Sequence, residues 1–344
     1  MPAKFDLDTA TRINERLSPL MLTGAGGRRH LARLSKTHRR DLARPSNWAW
    51  ESDIYAVAIG EKTADRKPQH GEFCLKFFVR RKLAKARLRA AERIPPRLKL
   101  PSIGGDVLTD VEEMASMPVA HAGQIFRPVR PGASVGNFRG STGTAGLIVK
   151  RVGTAAPLIL SCSHVLALGG RANAGDPIEQ PVDFNGTVNT NRVGTLTPFF
   201  TTLDPSVIND VDAAVATLDQ GITADPAILD LAAPTGISDP FDPLAPNLAA
   251  IPLVRSGATT GKQMGSIAGL RAKVKIQMPV LGGQVVVFRS MVLYNTHSEG
   301  GDSGAAVLDA RDNSVVGLHV AGDGGLGTYL PIRQVLDALG VELF

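Results

Sequence analysis

From Gly143 onward the chain is cut by turn residues into short apolar strands at near-regular intervals, and this constrains its fold more than any other feature. The segments "GLIVKRV", "PLILSCS", "RVGTLTPFF", "VDAAVATL", "KVKIQM", "QVVVFRSMVLY", "GAAVLD" and "SVVGLHV" follow one another with Gly, Pro, Asn and Asp clustered between them. Such spacing predicts a β-sandwich or β-barrel, since each strand has one face to bury and a turn to bring in the next. The 36 Gly and 23 Pro among 344 residues agree with a body built of strands and turns. Between the fourth and fifth segments, "APTGISDPFDPLAPN" carries four prolines and divides the series into two β units joined near 233–248. The chain ends in "PIRQVLDALG", where Ile332, Val335, Leu336 and Leu339 share one helical face, so a C-terminal helix packed on the β body is expected.

Upstream the charge balance changes. Residues 1–130 hold 25 Lys and Arg against 14 Asp and Glu, whereas the remainder holds 13 against 18. The chain is therefore divided into a helical, basic lead-in (1–45), a small α/β N-terminal domain (46–119), a Gly/Pro/Ser-rich linker (120–140) and a β-rich body (141–344). In the α/β part, "DIYAVAIG", "FCLKFFVRR" and "DVLTDVEEM" read as strands, and the basic run from Phe77 to Leu100 reads as an amphipathic helix. That run could touch nucleic acid or an acidic partner, but no aromatic stacking residue is interleaved after Phe78, and a solvated face is the stronger reading. The first residues carry acids where a secretory leader is basic, and no apolar run approaches the roughly 18 residues of a membrane span. Cys74 and Cys162 lie 88 positions apart, which gives no disulfide framework. A cytoplasmic protein without a membrane segment is expected.

Within the β body the reactive side chains are few: His164 in "LSCSHVLAL", Asp210 and Asp212 in "NDVDAAVATL", and Ser303 in "GGDSGAAV". A serine hydroxyl becomes a useful nucleophile when an imidazole takes its proton, and the imidazole needs a carboxylate to fix its tautomer. Glycines around the serine suit an acyl-transfer site, because a side-chain-poor turn can aim backbone N–H groups at a developing oxyanion; the amides of Gly301 and Ser303 are the candidates. Alone, "GGDSG" is more often an ordinary glycine loop.

Set in order, however, "LILSCSHVLAL", "DVDAAVATL" and "GGDSGAAVLDARDNSVVGLHVAG" resemble the His, Asp and Ser motifs of trypsin-like serine peptidases. "VRSGATTGKQMGSI" is similar to a hairpin of bacterial and plant members of that clan, and "FFVRRKL", "ERIPPRL" and "DVEEM" resemble the N-terminal domain of bacterial peptidases related to the plant NARROW LEAF1 protein. The resemblance implies a mainly β, chymotrypsin-like double β-barrel with a C-terminal helix, acting as a serine endopeptidase on protein or peptide substrates. By position it implies His164 as general base, Asp212 as its orienting carboxylate and Ser303 as nucleophile, with the Gly301 and Ser303 amides as oxyanion hole. Asp212 is preferred to Asp210 because small apolar residues follow it directly.

The "GLHVAG" strand is similar to one that lines the specificity pocket of viral 3C-like and glutamate-specific bacterial peptidases. This implies a pocket containing His319, Ala321 and Gly322, with His297 as a wall, and a preference for Glu or Gln before the cut. No basic residue is followed by a typical activation N-terminus ahead of "GTAGLIV", so a constitutively formed site, or one gated by the N-terminal domain, is expected. Relatives suggest self-association into a homo-oligomer.

Other classes fit less well. "GATTGKQ" has three residues between its glycines where a phosphate loop has four, and Gln263 stands where Ser or Thr is needed. No His, Cys, Asp and Glu group has metal-ligand spacing along the sequence, so neither a metal nor a cofactor is expected. Ser-Gly-Asn-His esterases carry their "GDS" near the N-terminus, unlike this chain. A catalytically silent barrel used as a scaffold or peptide clamp is the alternative.

Overall fold

The computed structural model describes residues 11–15, 17–18, 54–64, 67–79, 82–83, 87–88, 93–100, 105–113, 126–182, 191–239 and 248–344. Most of the basic lead-in and of the basic run after Phe78 lies outside these residues. So does much of the segment joining the two β units.

The described chain is mainly β and forms two sheets. The first holds eight strands, ordered Val341–Leu343, Leu147–Arg151, Pro157–Ser161, Ala214–Leu218, Arg192–Phe200, Pro177–Glu179, Ser134–Asn137 and Ser141–Thr144. In the second, Gln284–Asn295, Leu326–Pro331, Val315–Gly322, Ala306–Asp309, Pro252–Gly257 and Gly261–Met278 pair in succession. Gly261–Met278 also pairs with Gln284–Asn295, which closes these six into a barrel.

One contiguous apolar cluster runs through both sheets, from Leu147, Ile159, Leu160 and Val215 to Leu308, Leu318 and Leu330. The helix Ile332–Leu339 buries Ile332, Val335, Leu336 and Leu339, the four residues its spacing predicted. Gly340 stops it in the left-handed conformation at φ 63°, with its N–H returned to carbonyls of the last turn. The following strand, Val341–Leu343, then pairs with Leu147–Arg151, so the chain end ties the second barrel to the first sheet. This is the chymotrypsin-like arrangement that the resemblance implied, where strand spacing predicted only a sandwich or barrel.

The strands Ile54–Ala64, Lys67–Val79 and Gly105–Glu113 coincide with the three apolar segments read from the sequence. They extend the second sheet: Ile54–Ala64 runs antiparallel to Gly261–Met278, with Ala56 opposite Val274. A fourth strand, Arg97–Leu100, comes from the proline-flanked "RLKL" and replaces the end of the amphipathic helix expected from Phe77 to Leu100. Helical residues 11–15 and 17–18 bury Ile13 and Leu17 in a second cluster with Ile54, Val57 and Val287.

Candidate active site

His164 and Asp212 are brought together by strand register. Pro157–Ser161 and Ala214–Leu218 are antiparallel neighbours with Ser161 opposite Ala214. His164 stands in the short helix just after the first strand and Asp212 two residues before the second, at the same end of the ladder. Both are buried. Asp212 Oδ2 lies 2.5 Å from His164 Nδ1, and Oδ1 accepts the His164 backbone N–H at 2.9 Å. Because a carboxylate only accepts, Nδ1 carries the ring proton and Nε2 presents its lone pair. That Nε2 is buried and has no hydrogen-bond partner among the described residues. Asp210, the alternative partner, is half-exposed and paired with Arg289, whose Nη2 donates to it at 2.8 Å.

Ser303 comes from the second barrel, in a turn whose shape needs its glycines. Asp302 N–H donates to Glu299 O at 3.2 Å, and Gly301, at the third position of that turn, has φ 103°, which is type II geometry closed to most side chains. Gly304 also has positive φ, at 93°, and a Cβ on it would fall 2.4 Å from Thr144 O and 2.1 Å from Ser161 Oγ. The turn is thus pressed against the first sheet. Thr144 fixes it there: its N–H donates to Ser303 O at 2.7 Å, its hydroxyl donates to Gly301 O at 2.6 Å, and the same hydroxyl accepts Ala258 N–H at 2.9 Å.

The histidine and serine segments also share an acceptor. His319 O takes the Gly304 N–H at 2.7 Å and the Cys162 thiol at 3.4 Å. Ser303 Oγ itself donates to Val320 O at 2.6 Å rather than to His164. The Gly301 and Ser303 N–H groups have no acceptor among the described residues.

Asp302, immediately before Ser303, anchors this turn through a fully buried ion pair. Arg255 Nη2 donates to its Oδ2 at 2.8 Å, and neither side chain has exposed surface. The carboxylate also accepts N–H groups of Thr259, Thr260 and Glu299, and the Thr260 hydroxyl. Burial alone would raise the Asp302 pKa, but the Arg255 charge and these donors outweigh it and hold the carboxyl below its ordinary range. Arg255 Nη2 further donates to His297 O at 2.6 Å. Gly257 makes room for the pair, since a Cβ there would lie 2.3 Å from Asp302 Oδ1 and 2.6 Å from Arg255 Nη1. No side chain upstream of the barrel is required to neutralise Asp302.

The predicted pocket residues divide. His319 is fully buried, with Nδ1 2.8 Å from Tyr294 Oη and Nε2 2.9 Å from Ser298 Oγ. Burial first, and then the nearby Arg255 charge, push its pKa well below the ordinary value, so the ring is neutral. Gly322 lies against the same serine: a Cβ on it would sit 2.3 Å from Ser298 Cβ. The ladder register shifts between His319 and Ala321, which interrupts simple alternation, and Ala321 joins Leu318 and Val320 in the apolar cluster. His297 is half-exposed, donating from Nδ1 to Gly324 O at 2.8 Å and lying 3.2 Å from Glu299 through Nε2.

Reading the sequence did not single out Ser298, Tyr294, Thr144 or the Arg255–Asp302 pair. It also found no metal-ligand spacing, yet the fold gathers Cys162, His164 and Asp212 so that their ligand atoms lie within 4.8 Å of one another.

Two β bodies, one carrying a histidine–aspartate pair and the other a glycine-bordered serine, make up a chymotrypsin-like fold. Comparison with known proteins found the following likenesses. The chain is 33% identical over 94 residues to Streptogrisin-A of Streptomyces griseus, a match covering 26% of this chain and 29% of that protein. Among solved structures it is similar to Thermobifida fusca Protease A, with TM-score 0.44, 18% identity and coverage of 62% of this chain and 98% of that one. Nocardiopsis Protease gives TM-score 0.45, 18% identity and coverage of 62% and 99%. A glutamic acid specific serine protease described as using a histidine triad in substrate binding gives 0.44, 19% and coverage of 63% and 100%. No family profile matches the chain.

Proposed function

We propose that this protein is a serine endopeptidase in which His164, Asp212 and Ser303 act as base, orienting carboxylate and nucleophile. The observation that carries the reading is the partnerless, buried Nε2 of His164, whose other ring nitrogen is held by Asp212. In the resting arrangement the Ser303 hydroxyl is held by Val320 O. Rotation about the Ser303 Cα–Cβ bond would hand its proton to Nε2, consistent with catalytic hydrogen bonds that tighten only when substrate is bound. Attack on a peptide carbonyl would then place the oxyanion against the Gly301 and Ser303 N–H groups, whose hydrogen-bonding capacity is unspent. His164 would return the proton to the leaving amine, and a water would repeat the cycle on the acyl-enzyme.

Ser303→Ala is expected to abolish hydrolysis of a casein or peptide substrate while leaving circular dichroism unchanged. Undiminished cleavage by that variant would overturn the assignment. The Ser303–Val320 hydrogen bond favours the second reading, a silent barrel that binds peptides, and that reading predicts binding with no turnover in the unaltered protein.

A preference for Glu or Gln before the cut belongs to the same proposal. The Ser298 hydroxyl, joined through the buried His319 ring to Tyr294 in one hydrogen-bonded chain, is suited to donate to an oxygen of a carboxylate or carboxamide. Profiling cleavage of a peptide library should return Glu or Gln at that position; a preference for basic or aromatic residues would remove the idea. The motifs at 77–113 further support kinship with bacterial relatives of NARROW LEAF1.

A further inference from the structure

We propose that Cys162, His164 and Asp212 form a site for a thiophilic divalent cation of the zinc class, and that its occupation switches off the base. This rests on the proposed catalytic role of His164, though the site itself does not depend on it. The ligand atoms are the Cys162 thiolate, a His164 ring nitrogen and an Asp212 carboxylate oxygen, all within 4.8 Å of one another, and Nδ1 is taken as the nitrogen because it is the one that faces Asp212. Zinc–sulfur, zinc–nitrogen and zinc–oxygen bonds of about 2.3, 2.0 and 2.1 Å in tetrahedral geometry put ligand atoms about 3.3–3.7 Å apart. The 2.5 Å contact between His164 Nδ1 and Asp212 Oδ2 must therefore open by about an ångström, and the cation then replaces the shared proton.

The donor set suits the cation class. One soft thiolate, one imidazole and one carboxylate leave a fourth position for water, a combination that selects zinc or cobalt over magnesium or calcium. Cys162 sits two residues before His164 at the N-terminal end of its short helix, where its thiol contacts His319 O at 3.4 Å and also meets the Gly304 backbone N–H. Burial raises the thiol pKa, so coordination must displace the Cys162 proton to solvent.

The consequence follows from tautomer chemistry. A cation on Nδ1 takes the lone pair there and obliges the neutral ring to carry its proton on Nε2. Nε2 can then no longer accept the Ser303 proton, and Asp212 no longer orients the ring. Cation binding at Nδ1 and the base function at Nε2 are mutually exclusive within one ring, so inhibition does not require the cation to touch substrate.

The test uses the full-length protein in two backgrounds. In Ser303→Ala, cobalt should bind one equivalent and show a sulfur-to-cobalt charge-transfer band; adding Cys162→Ala should remove the band and weaken zinc binding, measured calorimetrically, by more than about tenfold, since even outer-sphere changes cost 10–100-fold. In the active protein, zinc should inhibit hydrolysis, and Cys162→Ala should raise the inhibitory concentration by a similar factor. Equal zinc affinity or equal inhibition with and without Cys162 overturns the site, as does cobalt binding without a thiolate band. A thiolate band in Ser303→Ala together with no hydrolysis by the unaltered protein upholds the site while removing the catalytic reading.

Discussion

Replacing Asp212 by asparagine is expected to lower kcat/KM by about four orders of magnitude, whereas Asp210→Asn changes it by less than a few-fold. The asymmetry comes from what each carboxylate touches. Asp212 is buried and serves two donors of the same residue, the His164 backbone N–H on Oδ1 and the ring Nδ1 on Oδ2. Asparagine offers one oxygen and one NH2 group. With its oxygen retained by the backbone N–H, its NH2 would donate to Nδ1 and drive the ring proton to Nε2, the tautomer that cannot accept from Ser303. The fold survives while the base is lost. Asp210 instead faces solvent beside Arg289, where an exposed pair contributes at most about 1 kcal/mol. Steady-state kinetics on any cleaved peptide, with circular dichroism as a control, separates the two. An equal, small loss in both variants would contradict the assignment.

Arg255→Met is expected to destabilise the protein by about 3–5 kcal/mol, the usual consequence of leaving one buried charge without its partner. Methionine nearly fills the volume of the arginine stem but returns nothing to Asp302, whose carboxylate is fully buried. The three backbone N–H groups and the Thr260 hydroxyl that remain cannot neutralise it. His297 O also loses its Arg255 donor. Since Asp302 directly precedes Ser303 and closes the turn that sets Gly301, activity should fall in the folded fraction as well. Arg255→Met combined with Asp302→Asn should recover part of the stability, because the charge is gone, but less of the activity. Urea unfolding of the three variants reads the first effect and kcat at saturating peptide the second. A single Arg255→Met variant as stable as the parent would show that the pair does not anchor the turn.

The strands and the C-terminal helix were legible because their signal is local. Ile332, Val335, Leu336 and Leu339 declare a helical face within eight residues, and Gly340 marks its end. The contact between His164 and Asp212 was foreseen through the family resemblance, which picked out these two and Ser303 as short motifs at the end or start of apolar strands. What escaped was other contact between distant segments. Arg255 and Asp302 are 47 positions apart, and "VRSGATTG" shows a hairpin without showing what its arginine faces. Cys162 and Asp212 come from neighbouring strands rather than neighbouring positions, so ligand spacing along the chain could not reveal them. His319 was visible as a histidine on a strand, but its partners Tyr294 and Ser298 lie on other segments, and the register shift after it defeats simple alternation. The N-terminal strands were likewise readable one by one, while their pairing onto Gly261–Met278 depends on an edge that exists only after the barrel forms.

The central claim is that a folded Ser303 is activated by His164. Its most direct test is reaction of the purified full-length protein with a fluorophosphonate probe, followed by intact-mass and peptide mass spectrometry. One adduct per chain on Ser303 is the predicted result, with none in Ser303→Ala and sharply slowed labelling in Asp212→Asn. A folded protein that takes up no probe, or takes it up at another residue, would contradict the account.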